Sequence, residues 1–182
     1  SQGKGGDACE AKVSGIMESL EGHHGELTRC PVRVESYAAL RRQVAVADPE
    51  VLPRSPQSTF TERLTIPWVE GFDLLQREPV WVPYDLVHLN YTIPFFTGQD
   101  LFEMSSNGIA SGNTLVEAVC HGLAEVLERD ATTKFFRRAM ADQQRARVDP
   151  ATITSLAPRM LLARLEAADV MSGMWDISAP GS

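Results

Sequence analysis

One short pattern occurs twice in this sequence. "SGIMESLEG", Ser14 to Gly22, and "HGLAEVLER", His121 to Arg129, each carry two glutamates three residues apart among small and apolar residues. An offset of 107 residues superposes Glu18 on Glu125 and Glu21 on Glu128. The same offset brings Gly5 onto Gly112, Glu10 onto Glu117, Ala11 onto Ala118, Gly15 onto Gly122 and Leu20 onto Leu127. In both copies the match begins upstream of the helical pattern, in a glycine-containing loop. A duplicated loop and helix constrains the fold more than any propensity does, because whatever one copy builds the other has to build again.

Both copies carry a helix-start signal at matched positions. Asp7-Ala8-Cys9-Glu10 and Thr114-Leu115-Val116-Glu117 each place a capping side chain three residues before a glutamate that can return the bond. The first helix is predicted to start at Asp7, to fray near Gly22 and to end by Gly25, with Ala8, Ala11, Ile16 and Leu20 as its buried face. The second is predicted to run from Thr114 to about Met140 with Leu115, Val119, Leu123 and Val126 inward. Cys120 falls on the apolar side there and reads as a small buried hydrophobe.

Between the repeats, residues 32 to 58 mix short apolar pieces with Pro53 and Pro56, which predicts a short helix near Tyr37 to Arg42 followed by a mobile connection. From Leu64 to Tyr91 the β-branched and aromatic content rises. "IPWVEGFDL" and "EPVWVPYDLVHLNY" read as paired strands with a turn near Gln76 to Glu78. A third helix near Pro158 to Ala168 and a strand in "VMSGMWDIS" complete the chain. The fold class is α/β, or α+β: a mixed or antiparallel sheet flanked by two pseudo-symmetric helices. The first repeat occupies 1–30, the sheet region 60–95, the second repeat 105–140, and the last helix and strand 150–180.

With 43% hydrophobic residues in 182, the chain can bury a core, and its formal charge of -7 argues against tracking nucleic-acid phosphates. Cys9, Cys30 and Cys120 are odd in number and have no metal-site spacing, so a reducing, cytoplasmic compartment is the default. No apolar run reaches the length of a membrane span.

On a helix, positions i, i+4 and i+7 share a face, so Ser14, Glu18 and Glu21 project together, as do Glu117, His121, Glu125 and Glu128. If the repeats face each other about a pseudo-twofold axis, four carboxylates converge and repel unless a cation sits among them. Oxygen-only donors suit Mg²⁺, which is commonly completed by substrate phosphates. The glycine-rich segments "SQGKGGD" and "SNGIASGNT" place backbone N–H groups and a helix N-terminus beside that position, which points to ATP. The bland alternative is a solvated acidic face; the duplication and the small residues beside the acids weigh against it. A di-iron site is disfavoured, because it wants Glu-x-x-His pairs. His23 and His24 read as capping or surface residues.

"SQGKG", "SGIMESLEGHHGE", "PWVEGFDLL", "PVWVPYDLVHLNYT" and above all "SNGIASGNTLVEAVCHGLAEVLERDA" resemble the YcaO family over nearly the whole chain. The resemblance implies a partial YcaO domain, since the family domain is about twice as long. It implies ATP- and Mg²⁺-dependent phosphorylation of a backbone amide in a ribosomally made peptide or protein. A neighbouring Cys, Ser or Thr then gives an azoline, whereas external sulfide, with a TfuA-like partner, gives a thioamide. It assigns Glu18 and Glu21 to one metal edge and Glu125 and Glu128 to the other. Ser14, Asn113, Glu117 and Arg129 match positions that hold the nucleotide, and Lys4 belongs to the matched "GKG". Ala110 and Val116 depart from residues that are commonly polar in relatives. A homodimer follows by family analogy, and a non-catalytic scaffold that binds peptide or dimerises is the alternative.

Overall fold

The computed structural model describes residues 2–91 and 101–178. The chain divides into two compact units, Ser1–Gly122 and Leu123–Ser182. In the first, α1 (Ala8–Glu26) is followed by β1 (Val32–Ser36), α2 (Tyr37–Leu40), β2 (Thr65–Asp73) and β3 (Glu78–Pro83). α3 (Leu115–Phe136) begins in the first unit and runs into the second, which adds α4 (Met140–Arg145) and α5 (Leu156–Ala167). The architecture is α/β, with one three-stranded antiparallel sheet in the order β1-β2-β3.

The β2–β3 hairpin forms because its turn is chemically specified. Asp73 Oδ1 accepts the N–H groups of Leu75 and Gln76 at 2.8 and 2.9 Å, and Arg77 takes a positive φ of 58° to close the reversal. The third strand, β1, is absent from the sequence reading, and its burial explains why. Val32 and Val34 face solvent while Arg33 and Glu35 are the half-buried members. Arg33 lies 5.5 Å from the Trp81 ring centroid and bonds Glu35 and Gln43, so the usual apolar-in alternation is inverted.

The core gathers Leu40, Ile66, Trp68, Trp81, Leu101 and Phe102, with Tyr37, Val44, Val46, Leu52 and Phe60 packed against it. The connection after α2 is therefore not the mobile segment its prolines suggested. Pro49 is fully buried, Ser55 N–H donates to Leu101 O at 3.3 Å, and Glu103 N–H donates to Pro53 O at 3.0 Å. The same connection covers the outer edge of β3. Trp81 N–H donates to Ala45 O and Ala47 N–H to Trp81 O, both at 2.9 Å. Pro79 and Pro83, two residues to either side, have no N–H to leave open.

α1 does not fray at Gly22; it runs to Glu26, one residue past the expected end. Gly25 is buried against Leu89, whose N–H donates to Gly25 O at 3.0 Å, and this tertiary contact outweighs the weak helix preference of the two glycines. α3 ends at Phe136, short of Met140, because the Gln143 side chain returns from α4 to donate to the carbonyls of Phe136 and Arg138 at 3.4 and 3.0 Å. α5 matches expectation within two residues. The expected strand in "VMSGMWDIS" is not formed: residues 170–178 make an isolated bridge of Trp175 to Arg147, flanked by Val148 N–H to Met174 O and Asp176 N–H to Ala146 O. The expected ends of the sheet region at 95 and of the last segment at 180 lie outside the described residues. Among the described residues, no helix is long and apolar enough to cross a membrane.

Trp68 is fully enclosed, donates its indole N–H to Glu35 O at 3.0 Å and stacks on Tyr37. Trp68→Ala is expected to lower unfolding free energy by about 3–5 kcal/mol in urea denaturation, the range for deleting a buried aromatic. Leu75→Ala, at a position 90% exposed, is expected to change it by less than about 0.5 kcal/mol.

Candidate functional site

The two repeats build the same reciprocal cap at the start of their helices. In the first, Asp7 Oδ1 accepts the N–H groups of Cys9 and Glu10 at 2.7 and 2.9 Å, and Glu10 Oε2 accepts from Gly6 N–H at 2.7 Å. In the second, Thr114 Oγ1 accepts from Glu117 N–H at 3.2 Å, and Glu117 Oε2 accepts from Asn113 N–H at 3.0 Å. Gly6 and Asn113 are equivalent at the repeat offset. The glutamates thus reach one residue beyond the expected capping partner, and do so identically in both copies.

The glycines make this closeness possible. A Cβ on Gly5 would stand 2.4 Å from Glu10 Cβ and 2.5 Å from Ala11 N, and one on Gly112 would stand 2.6 Å from Ala118 N and 2.9 Å from Glu117 Cβ. Further along, Gly15 faces Gly3, and Gly122 is buried against the carbonyl of Gly108. In both copies a loop backbone lies directly on the first turns of a helix.

This corrects the expected orientation of the helices. Ile16, Leu20, Leu115, Leu123 and Val126 are exposed, as are Ala8 and Cys120; of the expected inward positions only Ala11 and Val119 are half-buried. The less exposed positions are instead Ala11, Ser14, Gly15, Met17, Glu21, Gly22 and Gly25 on α1, and on α3 Ala118, Val119, Gly122 and Glu125, followed toward its C-terminal end by Ala131, Thr132 and Phe135. Periodicity identifies two faces of such a helix. It does not say that backbone packing will claim the one with small residues.

The predicted site residues fall into local pairs. Lys4 N–H donates to Ser14 Oγ at 3.2 Å, and Gln2 N–H to Glu18 Oε2 at 2.6 Å. Asn113 donates to Glu117 from its side chain as well as its backbone. In the second unit, Arg129 pairs with Glu125 at 3.3 Å along α3, and Glu128 is exposed. Glu21 reaches furthest in sequence: Ser111, 90 residues away, donates both its N–H, at 2.8 Å, and its hydroxyl to Glu21 Oε1. The sequence reading missed Ser111 and gave His121 no role beyond its place on the acidic edge. His121 Nδ1 bonds Ser111 O at 3.3 Å; a carbonyl only accepts, so Nδ1 carries the hydrogen. The signal was present in the repeat itself, since Ser111 is the counterpart of Lys4 and His121 that of Ser14.

Among the described residues, no three His, Cys, Asp or Glu side chains stand together as a ready metal cluster. The donors are carboxylate oxygens backed by hydroxyl and backbone N–H groups, a set that fits a small hard cation. Such a cation binds through one or two carboxylates plus substrate phosphates and needs no closed protein cage.

Over residues 2–182 the sequence matches the profile of the YcaO cyclodehydratases, described as ATP- and Mg²⁺-binding. The chain belongs to the YcaO family. It is 36% identical over 152 residues to an uncharacterized protein in the tfuA 3′ region of Rhizobium leguminosarum bv. trifolii, covering 83% of this chain and 35% of that protein. An uncharacterized protein of Mycobacterium tuberculosis H37Rv is 36% identical over 132 residues, covering 71% of this chain and 29% of its own length. The chain thus spans about a third of the length of these relatives. Among solved structures, YcaO from Methanopyrus kandleri bound with AMPPCP and Mg²⁺ aligns with a TM-score of 0.52 at 30% identity, covering 72% of this chain and 31% of that one. A heterocyclase in complex with substrate and cofactor shares the fold with a TM-score of 0.69 at 24% identity, over 92% of this chain and 24% of that one.

Gly112→Ala forces a Cβ onto backbone that cannot yield and is expected to lower unfolding free energy by about 1–3 kcal/mol in denaturant titration. Gly22→Ala, in the interior of α1 with nothing within 4 Å of the new Cβ, is expected to do the opposite and stabilise by about 0.5–1 kcal/mol.

Proposed function

We propose that this YcaO module binds ATP with Mg²⁺ and takes part in activating a backbone amide of a peptide or protein substrate. The observation that carries the reading is the duplicated loop on helix, with Glu18 and Glu21 in one copy and Glu125 and Glu128 in the other, in a chain matching an ATP- and Mg²⁺-binding family along its length. In this reading the four glutamates hold Mg²⁺, and Lys4, Ser14, Asn113, Glu117 and Arg129 hold the nucleotide. Bound ATP would supply the phosphoryl group that converts the amide oxygen, otherwise a poor leaving group, into departing phosphate. The chain's own contribution is charge and position. Lys4 and Arg129 offer cations to phosphate oxygens, and the N-terminal turns of α1 and α3 offer backbone N–H groups.

The reaction outcome depends on the nucleophile. The relative in the tfuA 3′ region supports addition of sulfide to the backbone amide, giving a thioamide, with a TfuA-like partner, and the cyclodehydratase family description supports azoline formation. A homodimer working in the cytoplasm, where three exposed cysteines remain thiols, belongs to the same proposal. A second reading, a non-catalytic module that binds peptide or dimerises, is favoured by the outward apolar positions Ile16, Leu20, Leu123 and Leu127 and by Val116.

Calorimetric titration with AMPPCP separates the two. Affinity is expected to be at least about tenfold higher with Mg²⁺ than without, and Glu125→Gln with Glu128→Gln is expected to abolish that difference. A folded chain that binds no AMPPCP under either condition would sink the enzymatic reading and leave the scaffold.

A further inference from the structure

Glu21 is held differently from the other acidic residues of the repeats. Both of its observed bonds come from one residue of the opposite repeat, and both fall on the same oxygen: Ser111 N–H and Ser111 Oγ donate to Oε1. A carboxylate offers about four lone-pair positions, so two donors on Oε1 fix the plane of the group and make Oε2 the oxygen for a further partner.

Ser111 is in turn fixed from two sides. Its carbonyl accepts from His121 Nδ1 on the second turn of α3. The next residue, Gly112, is pressed onto the first turn of the same helix, where a Cβ would meet Ala118 N at 2.6 Å. The counterpart bond in the first repeat, Lys4 N–H to Ser14 Oγ, joins the same pair of repeat positions with other chemistry. The loop-to-helix pin is therefore common to both copies, but Ser111 also reaches the other copy's glutamate, with its side-chain hydroxyl adding to the backbone N–H.

We propose that Ser111 is a positioning residue for the cation site: anchored by His121 and Gly112, it holds the Glu21 carboxylate through Oε1 and leaves Oε2 as the oxygen that would take Mg²⁺. The inference rests on the reading of Glu21 as a Mg²⁺ ligand. Partners that orient a metal-binding carboxylate without touching the metal commonly change affinity by about 10- to 100-fold when removed. Ser111 touches no reacting atom and acts through Glu21 alone.

The test is Mn²⁺ and Mg²⁺ titration of the chain at saturating AMPPCP, followed by electron paramagnetic resonance for Mn²⁺ and calorimetry for Mg²⁺. Ser111→Val and Ser111→Thr have nearly the same shape and differ in the hydroxyl. Ser111→Val is expected to weaken metal affinity by about tenfold or more while metal-free AMPPCP affinity and the unfolding midpoint stay at wild-type values; Ser111→Thr is expected to retain wild-type metal affinity. In a Glu21→Gln background, Ser111→Val is expected to have no further effect. Equal metal affinity in the Val and Thr variants, or an undiminished loss in the Glu21→Gln background, would overturn the inference and leave the ATP and Mg²⁺ reading standing. A wild-type chain whose AMPPCP binding ignores metal would overturn both.

Discussion

In both repeats a loop backbone lies against the opening turns of a helix, and most of what else is seen depends on that approach. At Gly3, Gly5 and Gly112 a single added carbon would collide with helix backbone or with the Cβ of the capping glutamate. With no side chain between them, loop N–H groups come within reach of Glu10, Ser14, Glu18 and Glu117. The capping glutamates are thereby turned toward the loops, and small residues occupy the helix face that a larger side chain would hold apart. The acids could be this near to backbone donors in no looser arrangement.

The constraint also sorts the two faces of each helix. A surface helix in an ordinary domain turns its leucines inward because apolar burial dominates. Here glycine and alanine face the loop, and Ile16, Leu20, Leu123 and Leu127 face outward. The apolar burial that stabilises the first unit comes instead from the sheet and from the connection folded over it, where Trp68, Trp81, Leu40 and Phe102 meet.

Features written in neighbouring residues were legible in the sequence. The starts of α1 and α3, the helix at Tyr37, the hairpin and α5 all depend on contacts within a few positions, and the duplication could be read by superposition alone. Features that depend on a distant partner were not. β1 hides its strand character by pointing Arg33 toward Trp81; the run from Val44 to Phe60 has the prolines of a loose linker but is held by residues 101–103. "VMSGMWDIS" has strand composition yet gains only one bridge. At the candidate site, residue types and spacing named the acids and their neighbours. Ser111 escaped because its significance lies in a contact spanning 90 residues.

The two edges of the sheet are not alike. At the β3 edge, Trp81 spends its N–H and C=O on Ala45 and Ala47, and the prolines at 79 and 83 remove the donors that a newcomer would need. At β1 the described residues place no strand beyond Val32–Ser36. The β3 side of this sheet is consequently closed to a further strand, so edge-to-edge stacking of copies cannot continue through β3.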